Sequence, residues 1–134
     1  MSLIHNINLR MKIKRFEDLD CWQEARLLAQ NIYLATNNTS FKKDYGLVDQ
    51  VRRAATSIMA NIAEGFSRQG DREFTQFLFI SKSSASELQS HLYVALDQKY
   101  ISQDDFVKLR ELLESIQKRI SNLIKYLKSC SSSR

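Results

Sequence analysis

Apolar residues recur along most of the chain at alternating steps of three and four, the spacing that places them on one side of an α-helix. The clearest run lies in the last third of the sequence. It consists of Phe106, Leu109, Leu113, Ile116, Ile120, Leu123 and Leu127. Similar runs predict helices at about Asp18–Thr36, Asp44–Glu64 and Asp71–Gln98. The pattern therefore predicts four long helices, with Gly65 as the C-cap of the second.

The links between the predicted helices are short, at about Asn37–Lys43, Phe66–Gly70 and Lys99–Ser102. Short links between long helices favour antiparallel neighbours, because the chain turns back at once. The sequence thus predicts an all-α, up-down-up-down antiparallel four-helix bundle. In this topology the start of the first helix, the end of the fourth and the Phe66–Gly70 bend share one end of the bundle. The first helix is predicted to turn Leu19, Trp22, Ala25, Ala29 and Ile32 inward.

Composition agrees with a single soluble domain. The chain has 134 residues, of which 43% are hydrophobic and 26% charged, enough to bury a core without disulfides or metal. It contains no proline and only three glycines, which disfavours turn-rich sandwiches, barrels and open sheets. We divide it into a basic N-terminal extension (1–15), the bundle (16–128) and a polar tail (129–134). With no signal peptide and no apolar run near the ~20 residues of a membrane span, a cytoplasmic protein without membrane association is expected.

Charge is concentrated at the two ends of the chain. Residues 1–15 carry +4 and residues 117–134 carry +5, both without an acid, whereas the residues between them sum to −4. Because the predicted topology brings these ends and the Phe66–Gly70 bend together, a basic surface is expected at one end of the bundle. Such a surface suits the phosphates of nucleic acid. The alternative is ordinary: basic residues complement a helix C-terminus, and chain ends are often charged.

Seven basic residues are the predicted nucleic-acid contacts. They lie in the second helix, beside the bend and in the fourth helix: Arg52, Arg53, Arg68, Arg72, Lys118, Arg119 and Lys125. No aromatic-rich platform for single-stranded bases accompanies them. We therefore expect phosphate contacts with weak sequence discrimination.

Four apolar residues exceed what one bundle core needs. Phe79 and Ile80 lie beside the seam of the third helix, and Leu27 and Leu34 lie off the core face of the first. Extra apolar stripes on a small protein usually indicate association, so these four residues are the predicted interface of a homo-oligomer. A broad core face with a few exposed apolar side chains is the alternative.

A polar seam runs beside the apolar one on the second helix, again at steps of four and three. Its members are Gln50, Ala54, Ser57, Asn61 and Glu64. We interpret it as a structural hydrogen-bond network between two closely packed helices. Glu87 and His91 on the third helix are candidate partners, and a functional site is the alternative.

Residues that could carry catalysis are scarce and badly spaced. The two histidines, His5 and His91, cannot share a metal site with the distant Cys21 and Cys130, which are expected to be reduced thiols. No glycine-rich phosphate loop is present. The sequence therefore predicts no enzyme, no metal, no cofactor and no small-molecule substrate.

Several motifs together carry a family resemblance. They are Phe16-Glu17-Asp18-Leu19 with Trp22-Gln23, Tyr45-Gly46-Leu47, the run from Gln50 to Gly65, and Glu73-Phe74 with Phe77-Leu78. They resemble the 23S rRNA intervening-sequence protein family, bacterial four-helix bundles, over about Phe16–Lys128. Cys21 and Met59 depart from the usual family residues, an aliphatic residue and a proline.

The resemblance implies a gene within, or related to, an insertion in the 23S rRNA gene, and a homopentameric ring. Accessory proteins of diversity-generating retroelements are similar in fold and work with a reverse transcriptase and nucleic acid. The resemblance assigns no biochemical activity but favours binding of RNA, including ribosomal RNA, or DNA. The rival hypothesis is a protein-interaction scaffold in which the apolar residues matter and the arginines do not.

Overall fold

Four α-helices form the computed structural model, which describes residues 13–132. They are α1 (Asp20–Thr36), α2 (Tyr45–Ser67), α3 (Asp71–Asp97) and α4 (Gln103–Ser132). One 3₁₀ turn, Phe16–Asp18, precedes α1, and another, Phe41–Lys43, lies between α1 and α2. The described residues include no strand. The predicted all-α, four-helix class is confirmed.

The core forms where the apolar seams of the helices meet. Leu113, Ile116 and Ile120 of α4 are fully buried, as their spacing predicted. Burying one such side chain contributes about 1.5–3 kcal/mol, so these seams supply the main driving force for folding. The face of α1 is wider than predicted: Leu28 is fully buried, while Trp22 is only half-buried.

Each of the four helices packs mainly against two others. α2 packs against α1 and α3, and α4 packs against the same two helices. α1 and α3 therefore occupy opposite corners of the bundle, and their outer sides face away from each other. Within residues 13–132, none of the helices combines the length and apolar character that a membrane span requires.

Contacts between two connections hold one end of the bundle. Asn38 Nδ2 donates to the carbonyl oxygen of Tyr100 at 2.6 Å, and the Tyr100 hydroxyl donates to Asp44 Oδ2 at 3.0 Å. The hydrogen bond to Asp44 raises the pKa of Tyr100. The buried Phe41 stacks on the Tyr100 ring with centroids 5.1 Å apart. The α1–α2 and α3–α4 connections thus lie side by side.

Gly65 lies inside α2, contrary to its prediction as a C-cap, because the helix continues to Ser67. A Cβ atom on Gly65 would meet Phe77 Cβ at 2.7 Å and Phe74 Cδ1 at 2.9 Å. Its φ is not positive. The residue is therefore small because α2 and α3 approach closely there, and not because the chain turns.

The fourth helix continues past the predicted bundle boundary at residue 128, to Ser132. Its sequence contains no proline or glycine, the residues that most weaken a helix interior. Tyr126 and Leu127 are buried and anchor its last turns in the core.

Candidate functional site

Three separate parts of the chain meet at the end of the bundle that contains the Phe66–Gly70 bend. We call this end the tip and define it by residues 13–20, 66–71 and 119–128. A cavity of about 280 Å³ lies there. Its lining includes Ile13, Leu19, Phe66, Arg68, Leu123 and Leu127. The bend and the two ends of the helical region are therefore close together.

Arg119 joins α4 to α1 at the tip. Its Nη1 lies 2.5 Å from Asp20 Oδ2 and its Nε 2.5 Å from Glu24 Oε1. Ser115 Oγ also donates to the Glu24 carboxylate, at 2.8 Å. Burial alone would lower the pKa of Arg119, but the two carboxylates outweigh it and the pKa is raised. The predicted phosphate contact Arg119 is thus the centre of an interhelical ion-pair cluster.

Arg68 follows α2 directly and is shared among three neighbours. Its Nη2 lies 2.8 Å from Glu64 Oε1, and its Nε lies 4.0 Å from Glu73 Oε2. Its guanidinium carbon lies 5.0 Å from the centre of the Phe77 ring. The side chain is still exposed, so these pairs lie in water, where each contributes about 1 kcal/mol or less.

Arg52 and Arg53 lie on α2 and have different surroundings. Arg52 is half-buried against α1: Nε donates to Thr36 Oγ1 at 2.9 Å, and its guanidinium carbon lies 4.4 Å from the centre of the Tyr33 ring. Arg53 is exposed and pairs with Asp49 at 2.7 Å, one turn away. Arg52 therefore takes part in helix packing, whereas Arg53 lies on the surface.

The remaining predicted contacts, Arg72, Lys118 and Lys125, are exposed. None of them forms an ion pair with a described residue. Lys118 and Lys125 are seven residues apart, which places them about two turns apart on the same side of α4. A phosphate could contact these three exposed cations without displacing an acid or an interhelical hydrogen bond.

The basic chain ends are described only in part. Arg10, Lys12 and Arg134 lie outside the described residues. Arg15 pairs with Glu17 at 2.7 Å, and Lys128 Nζ lies 5.2 Å from the centre of the Phe79 ring. The described parts of both ends lie at the tip, but ion pairs within the molecule take up the charge of Arg15, Arg68 and Arg119 there.

The polar seam of α2 connects it to α3 through serines. Ser57 Oγ lies 2.9 Å from Ser84 Oγ, and Ser81 Oγ donates to the carbonyl oxygen of Ile58 at 2.9 Å. Asn61 Nδ2 donates back to the carbonyl oxygen of Ser57 at 2.8 Å. These contacts are those of a structural network.

The predicted partners of that seam are placed differently. Glu87 Oε1 and His91 Nε2 lie 3.5 Å apart, one turn apart on α3. The contacts across to α2 come from Ser81 and Ser84 instead. At the other end of the seam, Glu64 pairs with Arg68.

The predicted interface residues lie on two exposed helix faces. On α1, 47% of Leu27 and 71% of Leu34 is exposed, and on α3 the values are 44% for Phe79 and 47% for Ile80. Tyr93 and Val94, which the sequence analysis missed, extend the exposed apolar side chains of α3 towards its C-terminus. Because α1 and α3 occupy opposite corners, the two faces lie on opposite sides of the molecule.

Among the described residues, no three His, Cys, Asp or Glu side chains are arranged to hold a metal ion. Burial raises the pKa of Cys21 to about 12, so its thiol is almost never ionised near neutral pH.

Comparison with known proteins shows which family the chain resembles. The family model described as 23S rRNA-intervening sequence protein matches residues 17–122. A solved structure, a protein of unknown function from the S23 ribosomal protein family of Bacteroides thetaiotaomicron, is 24% identical in sequence and has a TM-score of 0.72. The match covers 78% of this chain and 98% of that chain, and at this identity it shows the fold alone. None of the curated proteins compared with the chain matches it. Since the family model spans most of the four helices, the chain belongs to the 23S rRNA-intervening sequence protein family.

Proposed function

We propose that this protein is a non-enzymatic nucleic-acid-binding protein that holds RNA or DNA by its phosphates. The observation that supports this best is that the described parts of the two basic ends lie with the Phe66–Gly70 bend at the tip, beside exposed cations that form no ion pair with a described residue. In this proposal the helices run alternately up and down. Contacts at both ends support that direction: Asp20 meets Arg119 at the tip, and Asn38 meets Tyr100 at the other end.

The surroundings of each arginine narrow the set of phosphate contacts. Arg72, Lys118 and Lys125 are the main contacts in the proposal, because they lose no partner when a phosphate binds. Arg53 and Arg68 can exchange an exposed carboxylate for a phosphate at little cost. Arg52 and Arg119 are held between helices, so in the proposal they stabilise the fold and are not main phosphate contacts. Phosphate contacts of this kind position a nucleic acid without reading its sequence.

Charge reversal tests this assignment. We expect the triple variant Arg72→Glu, Lys118→Glu, Lys125→Glu to bind a structured RNA at least about tenfold more weakly at low salt, with a shallower dependence on salt. The measurement is a filter-binding titration across a salt series.

The matched control makes the same charge change at the opposite end of the bundle. It replaces Lys42, Lys43 and Lys99, all exposed, with glutamate. Equal losses of RNA affinity in the two triple variants would show that only the net charge of the protein matters, and would contradict the assignment of these contacts. Undetectable binding of RNA by the parent at low salt would contradict the proposal and favour a protein-interaction scaffold.

We also propose that the subunits associate head to tail, the α1 face of one contacting the α3 face of the next. The faces lie on opposite sides of the subunit, so a contact between them is heterologous. Such contacts give a ring when the rotation between subunits closes and a filament when it does not, and we propose a ring. Five subunits is the number that the family resemblance implied. A ring repeats each weak phosphate contact and so increases the total affinity by avidity.

Mixing two interface variants tests the head-to-tail arrangement. Leu34→Asp and Ile80→Asp are each expected to give monomers, because either one disrupts every contact in the ring. Mixed together they are expected to give 1:1 dimers, since each supplies the face that the other has lost. Analytical ultracentrifugation measures the masses, with Tyr45→Asp, at a side chain that is 80% exposed, as the control. Dimers formed by either variant alone would indicate like-to-like contacts and contradict the arrangement.

A further inference from the structure

Two tyrosine side chains are exposed near the connection between α1 and α2. Tyr33, in the last turn of α1, is 44% exposed, and Tyr45, the first residue of α2, is 80% exposed. A tyrosine side chain is largely an aromatic ring, so both rings are accessible to a binding partner. Because the two residues belong to different helices, the sequence alone did not show them as a pair.

Arg52 lies over the Tyr33 ring and joins it to α2. Its guanidinium carbon is 4.4 Å from the centre of the ring, within the range of a cation–π contact. Arg52 Nε donates to Thr36 Oγ1 at 2.9 Å, and Nη2 donates to Asn37 Oδ1 at 3.3 Å. A guanidinium has five N–H groups, and the remaining ones form no hydrogen bond with a described residue. The charged group is therefore held in place and can still bind an anion.

Tyr45 lies on the same side of α2 as Arg52. The two residues are seven apart, which is almost two full turns and about 10.5 Å along the helix axis. Between them, Asp49 is neutralised by Arg53, whose Nη2 lies 2.7 Å from Asp49 Oδ2. Of these three charged side chains, Arg52 thus supplies the net positive charge. Two accessible rings and one fixed cation therefore occupy one side of the molecule.

We propose that Tyr33, Arg52 and Tyr45, which we call the platform, bind a single-stranded stretch of RNA or DNA. The inference rests on the proposed nucleic-acid binding and adds a class of ligand to it. Bases stack on the two tyrosine rings, and Arg52 donates to a phosphate between them. An unpaired base has a free face for such stacking, whereas the bases of a duplex already stack on one another. Stacking accepts every base, so the platform does not read sequence.

The combination of groups favours this occupant over simpler ones. An apolar partner would use the rings but leave the guanidinium unpaired, and a free anion would use the guanidinium but not the rings. A single strand supplies flat bases and phosphates along one chain. The platform is also separate from the tip, because Tyr45 and Phe66 are about 30 Å apart along α2. Removing the rings therefore leaves the exposed cations of the tip in place.

Substitution of the two tyrosines in the full-length chain tests the platform. The test variant is Tyr33→Leu, Tyr45→Leu, which keeps apolar side chains but removes both rings. The variant Tyr33→Phe, Tyr45→Phe keeps the rings and loses only the hydroxyl groups. Tyr93→Leu is the matched control for position, because it removes a ring of similar exposure, 47%, from α3. Fluorescence anisotropy at low salt measures the binding of two labelled probes, a single-stranded oligouridylate and a fully base-paired RNA duplex.

We expect the double leucine variant to bind the oligouridylate at least about tenfold more weakly than the parent, with the affinity for the duplex unchanged. The phenylalanine variant and Tyr93→Leu are expected to bind both probes as the parent does. Tyr45→Leu alone, at a side chain that is 80% exposed, is expected to give part of the loss. This single variant keeps the test valid even if Tyr33→Leu disturbs the packing of α1 on α2.

Unchanged oligouridylate binding by the leucine variants would overturn the platform, and so would equal losses for the two probes. A change in the mass of the assembly, measured by light scattering, would overturn it as well, because it would assign the tyrosines to a contact between copies of the chain. A parent that binds the duplex but not the oligouridylate would overturn the platform and leave the proposed function standing. A parent that binds neither probe would contradict both.

Discussion

Replacing Leu113 with aspartate is expected to abolish cooperative folding. Leu113 is fully buried in the middle of α4, and Leu113→Asp places a carboxyl group where no water reaches it. An unpaired buried charge costs several kcal/mol, and the lost leucine contacts add about 2–5 kcal/mol. A domain of this size is stable by only about 5–15 kcal/mol. We therefore expect the far-UV circular dichroism signal of this variant to show no cooperative unfolding transition as the urea concentration rises.

The control places an aspartate on the surface instead. Tyr45→Asp alters a side chain that is 80% exposed and lies outside the proposed interface, so its helix content and urea midpoint are expected to stay close to those of the parent. A Leu113→Asp protein that keeps the parent's cooperative transition would show that the core face of α4 has been misassigned.

Adding a single methyl group at Gly65 is expected to lower the free energy of unfolding by about 1–3 kcal/mol, the usual cost of overpacking. Alanine favours a helix over glycine by about 1 kcal/mol. The expected loss of stability therefore comes from packing and is opposed by this gain in helix propensity. The new Cβ would lie 2.7 Å from Phe77 Cβ and 3.2 Å from the backbone oxygen of Phe74. Neither atom can rotate away, so the relief requires α2 and α3 to move apart.

Gly46 provides the matched control for Gly65→Ala, because it lies in the first turn of the same helix. A Cβ on Gly46 would meet nothing within 4 Å. Gly46→Ala is therefore expected to raise the free energy of unfolding by up to about 1 kcal/mol. Urea denaturation of both variants measures the two changes. Stabilisation by both substitutions would show that α2 and α3 do not approach closely at Gly65.

Helical spacing predicted the fold but left the rotation of each helix open. On α4 the spacing selected Leu123, whereas Ile124 is the more deeply buried of the two. Neighbouring apolar residues cannot be separated by a step of three or four, because the real period of 3.6 drifts relative to the heptad. On α1, Trp22 stays half-buried with its ring 5.1 Å from that of Phe16, and the smaller Cys21 is buried instead.

The sequence predicted where the candidate residues lie along the helices, but it did not predict which side chains contact them. The sequence placed Arg119 near the tip, but its contacts with Asp20 and Glu24 depend on which side of α1 faces α4. Likewise, the polar seam of α2 was predicted, but Ser84 faces it instead of Glu87. Periodicity within one helix carries no information about the relative register of two helices, so contacts between helices required the structure.

The molar mass of the purified protein, alone and with a structured RNA, is the decisive quantity for an oligomer that binds nucleic acid. Light scattering during size-exclusion chromatography measures it. We expect one species at five times the 15.6 kDa subunit mass, as the proposed ring requires. This species is expected to gain the mass of the RNA at low salt and to lose it at high salt. A species of 15.6 kDa whose mass does not change with RNA would contradict both the assembly and the binding.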